Sequence, residues 1–313
     1  MTMNSPTRLN YEVRPCKFAE RTMLLAALQT ITNKFEGKYQ YVGFGGLTFT
    51  DFKLFHSNLH IDIMHSIEGG KYSEKRLKYN SPYGFIQIHK GMSSMELTKI
   101  NFDNKTIVWL DYDGVIEDYT FSDLSLLIRK MPIGSVYIIS CNRELKNQEN
   151  NLYSSVDEFL SRFRELAPSG LKMADLSASN DYKTIRKMLN KAVKNAVNDR
   201  NLYGETVKFK LLFDIIYQEN HGAKMYTFGG IILDQDYDEQ QLEINDFPFI
   251  YKGDDEAYKI DVPNITLKES LLLNSCIGDE NYEEKIKDII TDANYNKYIK
   301  IYKYLPRFFD VRL

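Results

Sequence analysis

Five short apolar runs, each followed by glycine or polar residues, constrain this chain more than anything else in it. They cover residues 39–43, 61–68, 84–89, 106–110 and 135–140, with stretches of helical spacing at 48–57 and 121–130 between them. Strands that alternate with helices imply a parallel sheet wound by right-handed crossovers. The run 106–110 (TIVWL) is almost wholly apolar, as a strand buried on both faces must be. The residues that close the runs are equally regular. Gly43-Phe44-Gly45-Gly46 closes the first, Glu68 the second and Lys90-Gly91-Met92-Ser93 the third, while Asp111-Tyr112-Asp113 and Ser140-Cys141-Asn142 close the fourth and fifth. Ligands bind at the carboxyl ends of strands in open α/β sheets. Glycines there let backbone amides approach a ligand closely, and a carboxylate about 20 residues further on can accept from a ribose hydroxyl. The pair argues for a cofactor-binding enzyme.

The flanking segments add helices. Residues 17–35 carry apolar side chains at helical spacing and read as a helix before the first strand. Helices are expected at 48–57 and at 121–130, the latter capped by Ser122 or Asp123. Beyond Asn142 the pattern gives two or three polar helices over 154–200, a further helix over 207–218, strands at 224–233 and 247–251, and a helical end from 266 to about 304. The fold expected is α/β: a Rossmann-like, doubly wound, mostly parallel sheet with an added N-terminal helix and C-terminal helices. Residues 1–37 would form an N-terminal extension and 38–252 the core, with a helical insertion at about 150–220. Residues 253–313 would form a C-terminal helical region.

Composition narrows the function classes. A formal charge of −3 over 313 residues gives no global field toward nucleic acid or an anionic membrane. No segment approaches the roughly 20 apolar residues a membrane span needs, and the first residues lack an apolar signal core. Cys16, Cys141 and Cys276 are odd in number and far apart, so they form no disulfide framework or metal cluster. A reduced, cytoplasmic setting is expected.

Over residues 38 to about 142, and more weakly in the closing strand pair near 224–251, the chain resembles class I S-adenosylmethionine-dependent methyltransferases. It also resembles a bacterial group labelled O-methyltransferase-like, through YEVRPCKFAER, YVGFGG, DFKLFH, SIE and WLDYDG. The resemblance implies S-adenosylmethionine as cofactor and an unidentified acceptor, with a hydroxyl favoured over carbon. By position it places Gly43, Gly45 and Gly46 against the methionine part, Glu68 on the ribose, Gly91, Met92 and Ser93 along the adenine, and Asp111 and Asp113 at the reacting centre. Tyr41, counted with the cofactor-lining residues, stands where such enzymes usually carry an acidic side chain; Asp51 or Glu20 would have to substitute. Asp111 or Asp113 could act as a general base. With Asn142 either would also suit an oxygen-liganded Mg²⁺ that lowers a hydroxyl's pKa.

Two other readings fit parts of the sequence. Residues 106–118 (TIVWLDYDGVIED) match the first motif of haloacid-dehalogenase-type phosphatases, with Asp111 as nucleophile and Asp113 as acid/base. Ser140 would then end the next strand, 29 residues later, and Asp254-Asp255 would be the metal-binding pair. Tyr41 in place of the acidic residue equally suits a non-catalytic scaffold that binds a protein partner. The Tyr-rich segment 294–310 offers a packing lid, a homodimer face or a partner surface. Arg14, Glu20 and Arg21 open the first helix, where an arginine could clamp a carboxylate. Lys183, Arg186, Lys187, Lys191 and Lys194 read as a solvated helix face, and His56, His60 and His65 as scattered over different faces.

Overall fold

A computed structural model describes residues 14–147, 149, 151–219 and 222–306. The ends of the expected N- and C-terminal regions, residues 1–13 and 307–313, lie outside the described residues. So do the first three residues of the YEVRPCKFAER motif and part of the Tyr-rich segment.

The sheet has eight strands in the order β3-β2-β1-β4-β5-β7-β6-β8. These are β1 (Tyr39–Gly43), β2 (Ile63–Glu68), β3 (Ile86–Lys90), β4 (Lys105–Val115), β5 (Val136–Asn142), β6 (Val207–Gln218), β7 (Lys224–Asp234) and β8 (Tyr258–Ile260). Only β7 runs against its neighbours, so the sheet is mostly parallel, as expected. Ahead of β1 lies α1 (Pro15–Thr32), and α2 (Thr50–Leu59), α3 (Glu74–Asn80), α4 (Ser93–Glu96) and α5 (Asp118–Lys130) connect the first five strands. Next come α6 (Val156–Phe163) and α7 (Asp181–Leu202), and after the sheet α8 (Leu267–Cys276), α9 (Tyr282–Ile286) and α10 (Asp292–Ile301).

Alternation along each strand sorts the core into two layers. Tyr41, Ile107, Trp109 and Ile138 face one way and pack with α1 and α2. Val42, Val108, Leu110 and Ile139 face the other and pack with α5, α6 and α7. The C-terminal helices hold a small core of their own around Leu273, Ile286 and Tyr298.

Several expectations are corrected. Residues 207–218, expected as a helix, form β6, paired with β7 along its length. A bulge between Leu211 and Phe213 explains the misleading spacing. Before it, Val207, Phe209 and Leu211 serve the α7 layer; after it, Phe213, Ile215 and Tyr217 serve the α1 layer, and Leu212 is the inserted residue. The change of face imitates a helical repeat. Residues 247–251 are turns with one bridge, Phe213 to Ile250; Pro248 cannot donate to a ladder, and β8 takes the place beside β6. Helix α3 was not expected, because Leu77 is its only buried side chain. Helix α5 begins earlier than expected and is capped by Glu117 and Thr120 rather than by Ser122 or Asp123. Strand β4 runs on through Gly114, so Asp111-Tyr112-Asp113 is extended chain. On α7, Arg186 is buried against Asp214 at 2.7 Å and is not part of a solvated face.

Gly229 and Gly230 let β7 sit between β5 and β6. A Cβ on Gly230 would overlap the Lys210 carbonyl oxygen and come within 2.6 Å of the Phe209 ring. We expect Gly230→Ala to lower unfolding free energy by about 1–3 kcal/mol, measured by urea denaturation.

Candidate active site

The strand order reverses between β1 and β4, the place where open α/β sheets bind ligands. A cavity of about 340 Å³ opens there at the carboxyl ends of β1, β2 and β4. Of the residues expected at the site, Gly45, Gly46, Glu68, Met92, Ser93, Asp111 and Asp113 line it. Tyr41, Gly43 and Gly91 do not. Tyr41 alternates onto the α1 face and packs edge-on to Phe52 and Phe55, each at 4.8 Å. Gly43 lies within β1, where an added Cβ would strike the Tyr41 hydroxyl. Gly91 donates its N–H to the Glu68 carbonyl at 3.3 Å and packs against Glu96.

The glycine turn and Glu68 form one unit. Oε1 of Glu68 accepts from Gly45 N–H at 3.0 Å, Gly46 N–H at 2.9 Å and the Ser66 hydroxyl at 2.6 Å. Gly45 has no room for a side chain, since a Cβ would come within 2.6 Å of Phe49 and Ser66. Gly46 holds φ at +58°, a conformation that glycine adopts without strain. Burial raises the Glu68 pKa above its ordinary value, against the lowering effect of these hydrogen bonds and Lys90.

The end of β4 carries the second group. Asp111 Oδ2 pairs with Lys17 Nζ of α1 at 2.8 Å, and the same ammonium pairs with Glu20 at 2.7 Å and lies 4.5 Å from the Trp109 ring centroid. Two residues on, Asp113 keeps an exposed surface. Surrounding protein atoms and the Asp111 charge nevertheless push it up to about 6, against the pull of Lys17 and Arg14. Between them, Tyr112 points to the other layer. Its hydroxyl donates to Asp123 at 2.6 Å, as does that of Ser93, so α5 anchors the ends of β3 and β4 together.

Arg21 and Asp51, ion-paired to each other, line the cavity near the glycine turn. Asp51 thus stands at the site as one of the two suggested substitutes for the missing acidic residue. Glu20 does not line it; Glu20 is fully buried and accepts from Tyr217, Ser140 and Thr227. Phe44, Tyr72 and Tyr119 also line the cavity, although the sequence reading does not single them out; the position of Phe44 inside the glycine turn was the available signal.

Of the donors suggested for Mg²⁺, Asn142 accepts from the Glu144 N–H at 3.1 Å. Asp111 is already matched by the Lys17 ammonium, and among the described residues no group of three or more His, Cys, Asp or Glu is placed to hold a metal ion. The phosphatase arrangement fails. Ser140 is fully buried and bonded to Glu20, and Asp255 pairs with Lys183 of α7 at 2.5 Å.

Residues 9–313 match the model of a family described as "Putative O-methyltransferase". The chain belongs to this family. Neither the phosphatase nor the scaffold reading finds support. No curated protein matches the sequence. Among solved structures, a fibrillarin pre-rRNA processing protein from Methanococcus jannaschii is 12% identical over 62% of this chain and 66% of its own, just under two thirds of its length, with a TM-score of 0.37. The N-methyltransferase NodS from Bradyrhizobium japonicum, in complex with S-adenosyl-L-homocysteine, is 8% identical over 68% and 85%, with a TM-score of 0.38. Likenesses this distant add nothing to the chemistry derived from the site. No helix among the described residues is long and apolar enough to cross a membrane.

The raised pKa of Glu68 has a consequence for stability. A carboxyl whose folded pKa exceeds its unfolded value contributes stability below the unfolded pKa and loses it as pH rises through the folded one. Glu68→Gln removes that ionisation. We expect the variant to be at least as stable as wild type at pH 7, with the difference shrinking toward pH 4, measured by thermal unfolding at both.

Proposed function

We propose that the protein is a cytoplasmic S-adenosylmethionine-dependent methyltransferase that acts on a hydroxyl. Its family supports the activity. The observation that carries the cofactor is the glycine turn locked to Glu68 at the topological switch point, inside a cavity that also holds opposite charges on Arg21 and Asp51. The residues fit the group: a carboxylate for ribose hydroxyls at the end of β2, open space at Gly46, and an arginine and an aspartate for the carboxylate and ammonium of an amino-acid tail. The cofactor would supply an electrophilic methyl group on a sulfonium.

The remaining work falls to the chain's own residues. Asp113, at the open end, accepts the proton of the acceptor hydroxyl, because its pKa near neutrality suits a general base. Asp111, deeper and held by Lys17, keeps a negative charge beside the reacting centre. Phe44, Tyr112 and Tyr119 form an aromatic wall, with ring centroids 5.2 and 5.7 Å apart, that limits water around the acceptor. The division into an N-terminal extension 1–37, a core 38–252 and a C-terminal region 253–313 belongs to this reading, with β8 of the last region completing the core's sheet, as does a homodimer or partner surface on the C-terminal helices. Nucleic acid is not the acceptor favoured.

Calorimetric titration with S-adenosylmethionine should show binding with Kd in the micromolar range, and Glu68→Ala should weaken it by about tenfold or more; no binding to folded protein would overturn the proposal. With an acceptor found by screening transfer from radiolabelled S-adenosylmethionine, the rate should rise with pH through about 6 and level off above it. Deprotonated Asp113 is the active form, so Asp113→Asn should lose that limb and about 10²-fold or more in rate.

A further inference from the structure

The strand-end carboxylates are accompanied by a buried cation, Lys17 of α1. Resting on the proposed function, we infer that Lys17 is the positioning residue of the site: its ammonium, fixed by Glu20 and Trp109, holds Asp111 at the cavity and leaves Asp113 as the carboxylate that takes the acceptor's proton. Lys17 is 1% exposed, and its ammonium lies 2.8 Å from Asp111, 2.7 Å from Glu20 and 4.5 Å from the Trp109 ring centroid. Its anchors are themselves anchored. Glu20 accepts from Tyr217 at 3.0 Å and Ser140 at 3.2 Å, and the Trp109 indole donates to Ser140 at 3.0 Å. The lysine therefore sits between two carboxylates, Glu20 and Asp111, that are themselves fixed by the sheet.

Burying such a cluster is costly: apolar side chains often replace a whole one with a gain in stability, whereas removing Lys17 alone leaves Glu20 buried without its counter-charge. A methionine would fill the place of Lys17 against Trp109. What it could not do is make two like carboxylates unequal. Asp111 and Asp113 flank Tyr112, which belongs to the other layer, and both line the cavity; the Asp111 charge raises the proton affinity of Asp113. The groups facing Asp113 are Asp111 on its own strand, Lys17 from α1, Arg14 just before that helix, and Tyr119 from α5. Of the two carboxylates, Lys17 grips Asp111.

The test is ¹³C NMR of protein labelled at aspartate carboxyls, titrated without cofactor, with Asp113→Asn assigning the resonance. Wild type should titrate near about 6. In Lys17→Met the upper carboxylate midpoint at the strand end should move up by about one unit or more, and in Lys17→Arg it should stay near the wild-type value. An unmoved midpoint in folded Lys17→Met, or an equal displacement in Lys17→Arg, would overturn the inference. A lysine whose charge does not reach Asp113 would change stability and leave the midpoint in place. If Lys17→Met does not fold, Lys17→Met/Glu20→Gln, which removes a carboxylate with the cation, is judged by the same shift. The titration needs no methyl donor, so its failure is distinct from absence of S-adenosylmethionine binding.

Discussion

A single ammonium buried beneath the sheet's open end ties the parts of this molecule together. Lys17 joins α1, which precedes the sheet in sequence, to the tip of β4, the central strand. Through Glu20 the same contact reaches Ser140 on β5, Thr227 on β7 and Tyr217 on β6. An N-terminal helix thereby becomes part of the sheet's interior electrostatics. Coulombic contacts in a low-dielectric setting are strong only when both partners are held in place, and here Asp111 stands on β4 while Glu20 is held from β5, β6 and β7.

The second organising unit is smaller and lies on the other side of the switch point. Two glycine amides and one hydroxyl converge on one oxygen of Glu68, so the turn after β1 and the end of β2 are locked as a pair. Strand-end residues are generally the mobile part of an α/β sheet, since loops carry function on a rigid scaffold. In this protein the scaffold extends one turn beyond the strands. Asp123, on the opposite face, does the same for the ends of β3 and β4 by accepting from Ser93 and Tyr112.

Much of this is legible in the sequence because it stems from period and punctuation. Apolar runs of strand length with glycine or carboxylate at their ends locate β1 to β5 and place Gly45, Gly46, Glu68, Asp111 and Asp113 at one edge. Tyr41 misleads because a position in a motif does not say which face of a strand it occupies; alternation from Val42 sends it into the α1 layer. Strand β6 misleads because one inserted residue, Leu212, turns a two-residue period into something nearer a helical one. The Lys17 contact is beyond reach for another reason. A lysine three residues before a glutamate on a helix reads as a solvated pair, and only the crossing of α1 over β4 shows that both are enclosed.

An open sheet has two edges, and this one treats them alike. On the far edge β3 presents exposed Gln87 and Lys90, and on the near edge β8 is three residues long with Lys259 pointing outward. Short, charged borders resist strand addition by a neighbouring molecule. A protein whose central strands are nearly continuous β-branched and aromatic sequence would otherwise template its own aggregation. The same brevity of β8 means that the last ladder contributes only three paired positions, so under stress the border is expected to fray before the eight-stranded interior does.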